Sequence, residues 1–434
     1  MKKLLFLSLL LSVGCSRCCD YFCNCPDTTH INCEQSPARY APNQIILDAE
    51  GLSSADYDLY KNFLEGKGFK KRDACNCSRR LELWGNDINV DVIGVIADAK
   101  GSGSTISGTI RLSLNFDIVP NIVSTPNPDT SQLIKAEVPA GTPVRIVIVD
   151  TGVDPTNTNF SFLWRKSVSP PLVPNCTAEM EYGLNVPVPS TEPLDIQGHG
   201  THINGIINGI ITNNRPKITG DQSGIPFAQI NVKFTADNNP QGSIFKAVCG
   251  LYYGLDRGGQ VFNLSWGYAG GSAPELIKSF LDVAKPRNVI IVAGAGNNGH
   301  DNDQEKFWPA SFSDNSDFVI SVGAYNAYYR STAAPALYEL YKLTNIGKSV
   351  NVFAPGVNVP SIAIGGGSRP AIASGTSMAT AYVTRVAAIL RGKNPTWTAQ
   401  QIKECIIKNS EKQTTVDGRV VRIFEAQKVI DACR

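Results

Sequence analysis

Residues 144–150 read VRIVIVD, an almost unbroken β-branched run that ends in an acid. A strand with one wet face alternates apolar and polar residues. A continuous apolar run needs cover on both faces, as in a parallel sheet flanked by helices. The same texture returns in AQINVKF (228–234), GQVFNLSWG (259–267), NVIIVAGAGN (288–297) and FVISVGAY (318–325). Helical stretches fall between these runs, for example GSIFKAVCGLYYGL (242–255) and PELIKSFLDVAK (274–285). Strands alternating with helices predict an α/β domain over residues 141–434, a parallel sheet with helices on both faces. Function in such sheets gathers at the carboxyl ends of the strands.

Upstream the pattern differs. APNQIILDAEG (41–51), RRLELWG (79–85) and GTIRLSLNFDIV (108–119) read as strands. SADYDLYKNFLEGKG (54–68) carries apolar residues at helical spacing and a Gly stop. VDVIGVIADAKG (90–101) fits helix or strand. Together these predict a small α+β domain over 38–123. PNIVSTPNPDTSQ, from Pro120, has three prolines and few large apolar residues, so 124–140 reads as a linker.

The first 14 residues, two lysines and then a short apolar run, read as a secretory signal peptide. The following SVGC resembles the lipobox of bacterial lipoproteins, with Ser12 where leucine is usual. That resemblance implies a lipid on Cys15 and a membrane-attached, exported protein; the other reading is cleavage near Gly14 with Cys15 as one more thiol. Twelve cysteines suit an exported chain. Six lie in the 15–37 segment, and Cys75 and Cys77 follow. Their spacings do not match paired zinc knuckles, so disulfides in a small N-terminal knot are expected. Cys249 reads as a buried helical thiol, and Cys405 and Cys433 as a pair; Cys176 has no assigned partner. A net charge of +2 without long single-sign runs argues against nucleic acid as a charge-driven partner.

Four short stretches fall at strand and helix ends: IVIVDTGVD with Asp150, GHGTHINGI with His199 and His202, AGAGNNG with Asn297, and SGTSMATAYVTRVAAIL with Ser377. Alone, Ser377 would be a helix cap, Asp150 a turn residue, and His-x-x-His a metal pair lacking a third ligand. Their order and local wording resemble the subtilisin-like serine proteases, from about Val144 to the last helix. The resemblance implies that Ser377 is the nucleophile, His199 the general base, Asp150 the residue that orients the imidazole and Asn297 an oxyanion donor. It also implies that Ser265, Trp266 and Gly267 line one side of the substrate cleft and Gly294, Ala295 and Gly296 the other. FWPA (307–310) would lie near the base of the specificity pocket, where Phe307 would shrink it.

Each role has a physical reason. A serine hydroxyl needs a neighbouring base to become a nucleophile, and neutral imidazole serves near pH 7. The base needs its other nitrogen held by a carboxylate, and the oxyanion needs donors fixed in advance. A helix start offers unpaired N–H groups and a positive dipole end. No cofactor is required for this chemistry; structural calcium is common in the family, but no compact acidic loop marks a site.

Three positions depart from the family. Ala381 stands where proline is usual, Arg385 where a small residue is common on a buried helix, and Asn204 where a small apolar one is expected. Polar groups facing a core need partners. Residues 38–123 resemble the family's propeptide, an intramolecular inhibitor, with the other reading a separate binding domain. Maturation within 124–143 would then release the protease from its anchor. The function expected is endopeptidase action on polypeptides; the rival is a catalytically silent lipoprotein that binds peptides or partners.

Overall fold

The computed structural model describes residues 40–75, 79–100, 106, 111–120, 123–124, 133–134, 142–156, 163–167, 178–209, 211–212, 226–237, 239–270, 273–327, 329, 332, 337–365 and 370–433. Cys15, the signal peptide, the N-terminal cysteine cluster, Cys77, Cys176 and most of the 124–140 linker lie outside them.

The main sheet is α/β, as expected. Its parallel core runs, in spatial order, Val420–Ile423, Val352–Pro355, Val319–Tyr325, Ile290–Gly294, Val261–Leu264, Val144–Asp150, Phe227–Lys233 and Gly183–Asn185, with an antiparallel strand at each edge. The chain winds outward from Val144–Asp150 to Phe227–Lys233, then crosses back to Val261–Leu264 on the other side. That reversal opens a crevice beyond the carboxyl ends of the two central strands, where ligands of such sheets bind. The central strand is buried at six of its seven positions, which is why its sequence does not alternate.

The helices are α1 (Ser54–Gly66), α2 (Val92–Lys100), α3 (His199–Asn208), α4 (Ile244–Asp256), α5 (Glu275–Ala284), α6 (Thr376–Lys393), α7 (Ala399–Lys408) and α8 (Ala426–Ala432). The ambiguous VDVIGVIADAKG stretch is helical: Val92 and Ala99 are buried seven apart, with Val95 and Ile96 packed beside them.

Residues 40–120 form an antiparallel sheet in the order Leu112–Pro120, Tyr40–Asp48, Leu81–Gly85, Lys70–Ala74. The consecutive apolar residues of QIILD follow from burial on both faces. Ile45 and Leu47 join the domain's own core with Tyr60, Leu64 and Trp84. Ile46, Leu81, Leu83 and Ile118 belong to the core of the larger domain. Strand Leu112–Pro120, the inbound strand below, continues across the boundary. It pairs with Gly242 and Ser243, just before α4, and with Trp266 and Gly267. The linker carries a two-residue strand, Val123–Ser124, the outbound strand, which pairs with Ala373 and Ser374.

Two cysteine expectations are resolved. Cys405 and Cys433 are joined, with Cα atoms 6.0 Å apart. Cys249 is buried and helical but not a free thiol; it is disulfide-bonded to Cys75, Cα to Cα 5.5 Å. Cys75 therefore pairs across the domain boundary and not within an N-terminal knot. Apolar texture around a cysteine reports burial and says nothing of what docks on its surface.

Candidate active site

Asp150 closes the central strand, and His199 opens α3. His199 Nδ1 lies 2.6 Å from Asp150 Oδ1, and both side chains are buried. His199 Nε2 has no hydrogen-bond partner among the described residues. The approach of the two elements depends on glycine. A Cβ on Gly200 would collide with the carbonyl of Gly152, which itself has φ +111°. Thr151 completes the junction, its Oγ1 accepting from the Gly200 N–H at 2.8 Å.

A residue that sequence reading missed organises this corner. Asp195 is 5% exposed, and its Oδ2 accepts from the N–H and hydroxyl of Thr201 at 2.8 and 2.7 Å. Its Oδ1 accepts from the Thr151 hydroxyl at 3.0 Å and the Gly198 N–H at 2.8 Å. The signal was an acid four residues before the histidine, at a helix start with no side-chain cap of its own.

Burial pulls the His199 imidazole toward its neutral form. The charge and hydrogen bond of Asp150, joined by the charge of Asp195, outweigh it and raise the pKa above 6.5. His202 behaves oppositely. Burial, with the charge of His199, lowers it to about 4, and its Nε2 donates to the Val359 carbonyl at 3.0 Å.

Ser377 is the second residue of α6. The helix cap is Gly375, so the serine hydroxyl is not spent on capping. Its Oγ donates to the Ser265 carbonyl at 3.1 Å, and Ser265 Oγ donates to the Ser377 carbonyl at 3.0 Å. Asn263, held by the Thr384 hydroxyl at 2.8 Å, donates to Ser265 Oγ at 2.9 Å. The helix mouth is thus tied to the end of strand Val261–Leu264. Asn297 is fixed from the other side: its Oδ1 accepts from the Thr376 N–H at 2.9 Å, which leaves Nδ2 without a partner among the described residues. A Cβ on Gly375 would stand 3.0 Å from that nitrogen.

The inbound strand reaches the site at Pro120, opposite Trp266, and the outbound strand leaves at Val123, opposite Ser374. Ser377, bonded to Ser265 and three residues beyond Ser374, stands between these two pairings. Trp266 serves twice: its backbone pairs with the inbound strand, and its side chain packs in the core 5.6 Å from the Phe234 ring. Gly294 ends its strand against Thr376 and Thr380, and Ala295 is buried in a neighbouring cluster. A Cβ on either Gly267 or Gly296 would meet the ring of Phe307, which therefore packs against both glycines.

The two polar departures have partners. Asn204 Nδ2 donates to the Gly200 carbonyl and to Asn231 Oδ1 at 2.8 and 2.7 Å. Arg385 Nη1 donates to the Ile207 carbonyl at 2.6 Å, in the last turn of α3, where a cation is favoured. Among the described residues no three His, Cys, Asp or Glu side chains group as metal ligands would.

The sequence profile of the subtilase family matches residues 141–424. The thermophilic serine proteinase of Bacillus sp. (strain AK1) is 31% identical over 60% of this chain and 55% of its own length. The cell wall-associated protease of Bacillus subtilis (strain 168) is 28% identical over 64% of this chain and 27% of its own. The chain thus spans about half the length, or less, of these relatives. Crystalline fervidolysin from Fervidobacterium pennivorans, a keratinolytic enzyme related to subtilisin, superposes with a TM-score of 0.64 at 17% identity, covering 90% of this chain and 61% of the other.

Proposed function

The chain belongs to the subtilase family, and we propose that it is an exported serine endopeptidase acting through an acyl-enzyme. Ser377 Oγ attacks the scissile carbonyl while His199 Nε2 takes its proton. Asp150 holds Nδ1–H and stabilises the imidazolium. The oxyanion is received by Asn297 Nδ2 and the Ser377 backbone N–H in the first turn of α6, where no intrahelical acceptor exists. His199 then returns its proton to the leaving amine, and water repeats the cycle on the ester. For this Ser377 Oγ gives up its bond to the Ser265 carbonyl and turns toward His199.

The observation that carries the reading is the buried His199–Asp150 pair, with the second imidazole nitrogen uncommitted among the described residues; a strand-pairing edge at Trp266 and Gly267 supports it. Main-chain pairing of that kind gives affinity for extended peptides with little sequence demand. The N-terminal domain acts as the intramolecular inhibitor, with its own chain as first substrate. The pairings at Pro120 and Val123 favour a cut between these two residues, upstream of the expected 124–143 interval. A lipid on Cys15 would hold the uncut chain at a bacterial envelope. A chain carrying Ser377→Ala should remain whole on a denaturing gel, while the wild type yields two fragments after reduction. An intact wild type that nonetheless cleaves added peptides would reject the self-cut.

A further inference from the structure

We propose that the Cys75–Cys249 disulfide keeps the N-terminal domain on the cleft after the chain has cut itself, and that exchange with a dithiol is the step that frees the enzyme. The inference rests on the reading of a self-cutting serine peptidase given above. Cys75 follows strand Lys70–Ala74 of the N-terminal domain, and Cys249 lies in α4 of the catalytic domain. They are 174 residues apart, on opposite sides of the Pro120–Val123 interval. Hydrolysis there adds one water, giving a carboxylate on one fragment and an amine on the other, and leaves both joined through sulfur.

Non-covalent contacts place the two domains together. Phe116 stacks on Tyr268 with ring centroids 4.8 Å apart, Arg79 lies over the Tyr252 ring of α4 at 5.1 Å, and the inbound strand is paired at both of its catalytic-domain edges. A cut inhibitor held only by such contacts binds reversibly, so its hold on the cleft weakens as it is diluted. One covalent bond makes rebinding intramolecular, with an effective concentration of millimolar order. The cut alone therefore neither clears the cleft nor detaches the catalytic domain from what precedes it in the chain.

Release requires reduction. A dithiol's thiolate attacks Sγ of Cys75, which is half-buried, whereas Cys249 is buried. A mixed disulfide forms and the Cys249 thiolate leaves, taking up a proton. The second thiol of the reductant then displaces the Cys75 thiolate, which is protonated in turn. The protein gains two electrons and two protons, and the dithiol ends as a disulfide.

The test uses the full chain, purified oxidised. The self-cut wild type should run as one species without reductant and as two with it. Its rate on a fluorogenic peptide should rise roughly tenfold or more on adding a dithiol such as dithiothreitol. Cys75→Ser should be active without reductant and gain nothing from it, which separates this bond from Cys405–Cys433. Fragments that part without reductant, or an oxidised cut enzyme already fully active, would overturn the proposal. The tether is also read without activity: Ser377→Ala, nicked by added trypsin, should hold its fragments together until reduced. That result would stand even if the peptidase reading failed.

Discussion

At the residue scale the site turns on how the charges around His199 are shared. Because Asp150 and Asp195 raise its pKa, the neutral imidazole that the proposed mechanism uses as base is lost at higher pH than for a free histidine. The acid limb of kcat/KM is expected above pH 6.5, with activity falling as pH drops through it. Asp195→Asn removes one of the raising charges and keeps a similar shape, so that limb should move to lower pH. Some stability is lost as well, about 1–3 kcal/mol for the disturbed buried acceptors. A pH–rate profile and a urea titration of the variant separate the two effects, and an unmoved limb would remove Asp195 from the electrostatics. Asn297→Ala should lower kcat about a hundredfold or more with little change in KM, the size of loss that subtilisin itself shows when its oxyanion asparagine is removed. The candidate positions Asp150, His199, Asn297 and Ser377 could be picked out in sequence, since each stands in a distinctive local phrase. Asp195 was not, because one acid in a loop looks like any other until the donors around it are known.

At the scale of elements, α6 and the strands that meet its mouth fix the shape of the cleft. Short strand Phe307–Trp308 pairs with Tyr268 and Ala269 and delivers the Phe307 ring between Gly267 and Gly296. Substrates with small side chains before the scissile bond should therefore be preferred. Phe307→Ala should raise the relative kcat/KM for large side chains roughly tenfold or more, and should cost about 3–5 kcal/mol of stability because the ring is buried. A panel of peptides differing at that one position measures the first effect, and an unchanged preference would place the pocket elsewhere. Most elements could be read from periodicity. The α2 segment could not, because its apolar residues satisfy either period until the sheet shows which face is covered. The polar residues Asn204 and Arg385 looked like faults in a core; both reach acceptors that belong to other elements.

At the scale of the whole molecule, the two disulfides among the described residues do different work. Cys405–Cys433 ties α7 to the end of α8 within the catalytic domain. Replacing both by alanine should lower stability by about 2–4 kcal/mol in urea, with kcat unchanged because neither cysteine touches the cleft. Cys75–Cys249 joins two domains and bears on release instead of folding alone. Neither partner of a long-range bond is marked in sequence, since pairing depends on which surfaces dock. The parallel sheet was readable because burial on both faces leaves a run like VRIVIVD. The continuation of one domain's strand onto the other was hidden, since edge pairing demands backbone and little side-chain pattern.

The central claim is that folding turns Ser377 into a nucleophile at the mouth of α6. The most direct test is to label reduced, cut protein with a fluorophosphonate and locate the adduct by peptide mass. One adduct per chain is expected on Ser377, absent after Ser377→Ala and greatly slowed after His199→Ala, with both variants nicked by trypsin and reduced so that their clefts are equally free. Reduced, cut wild-type protein that takes up no label, or takes it up elsewhere, would contradict it.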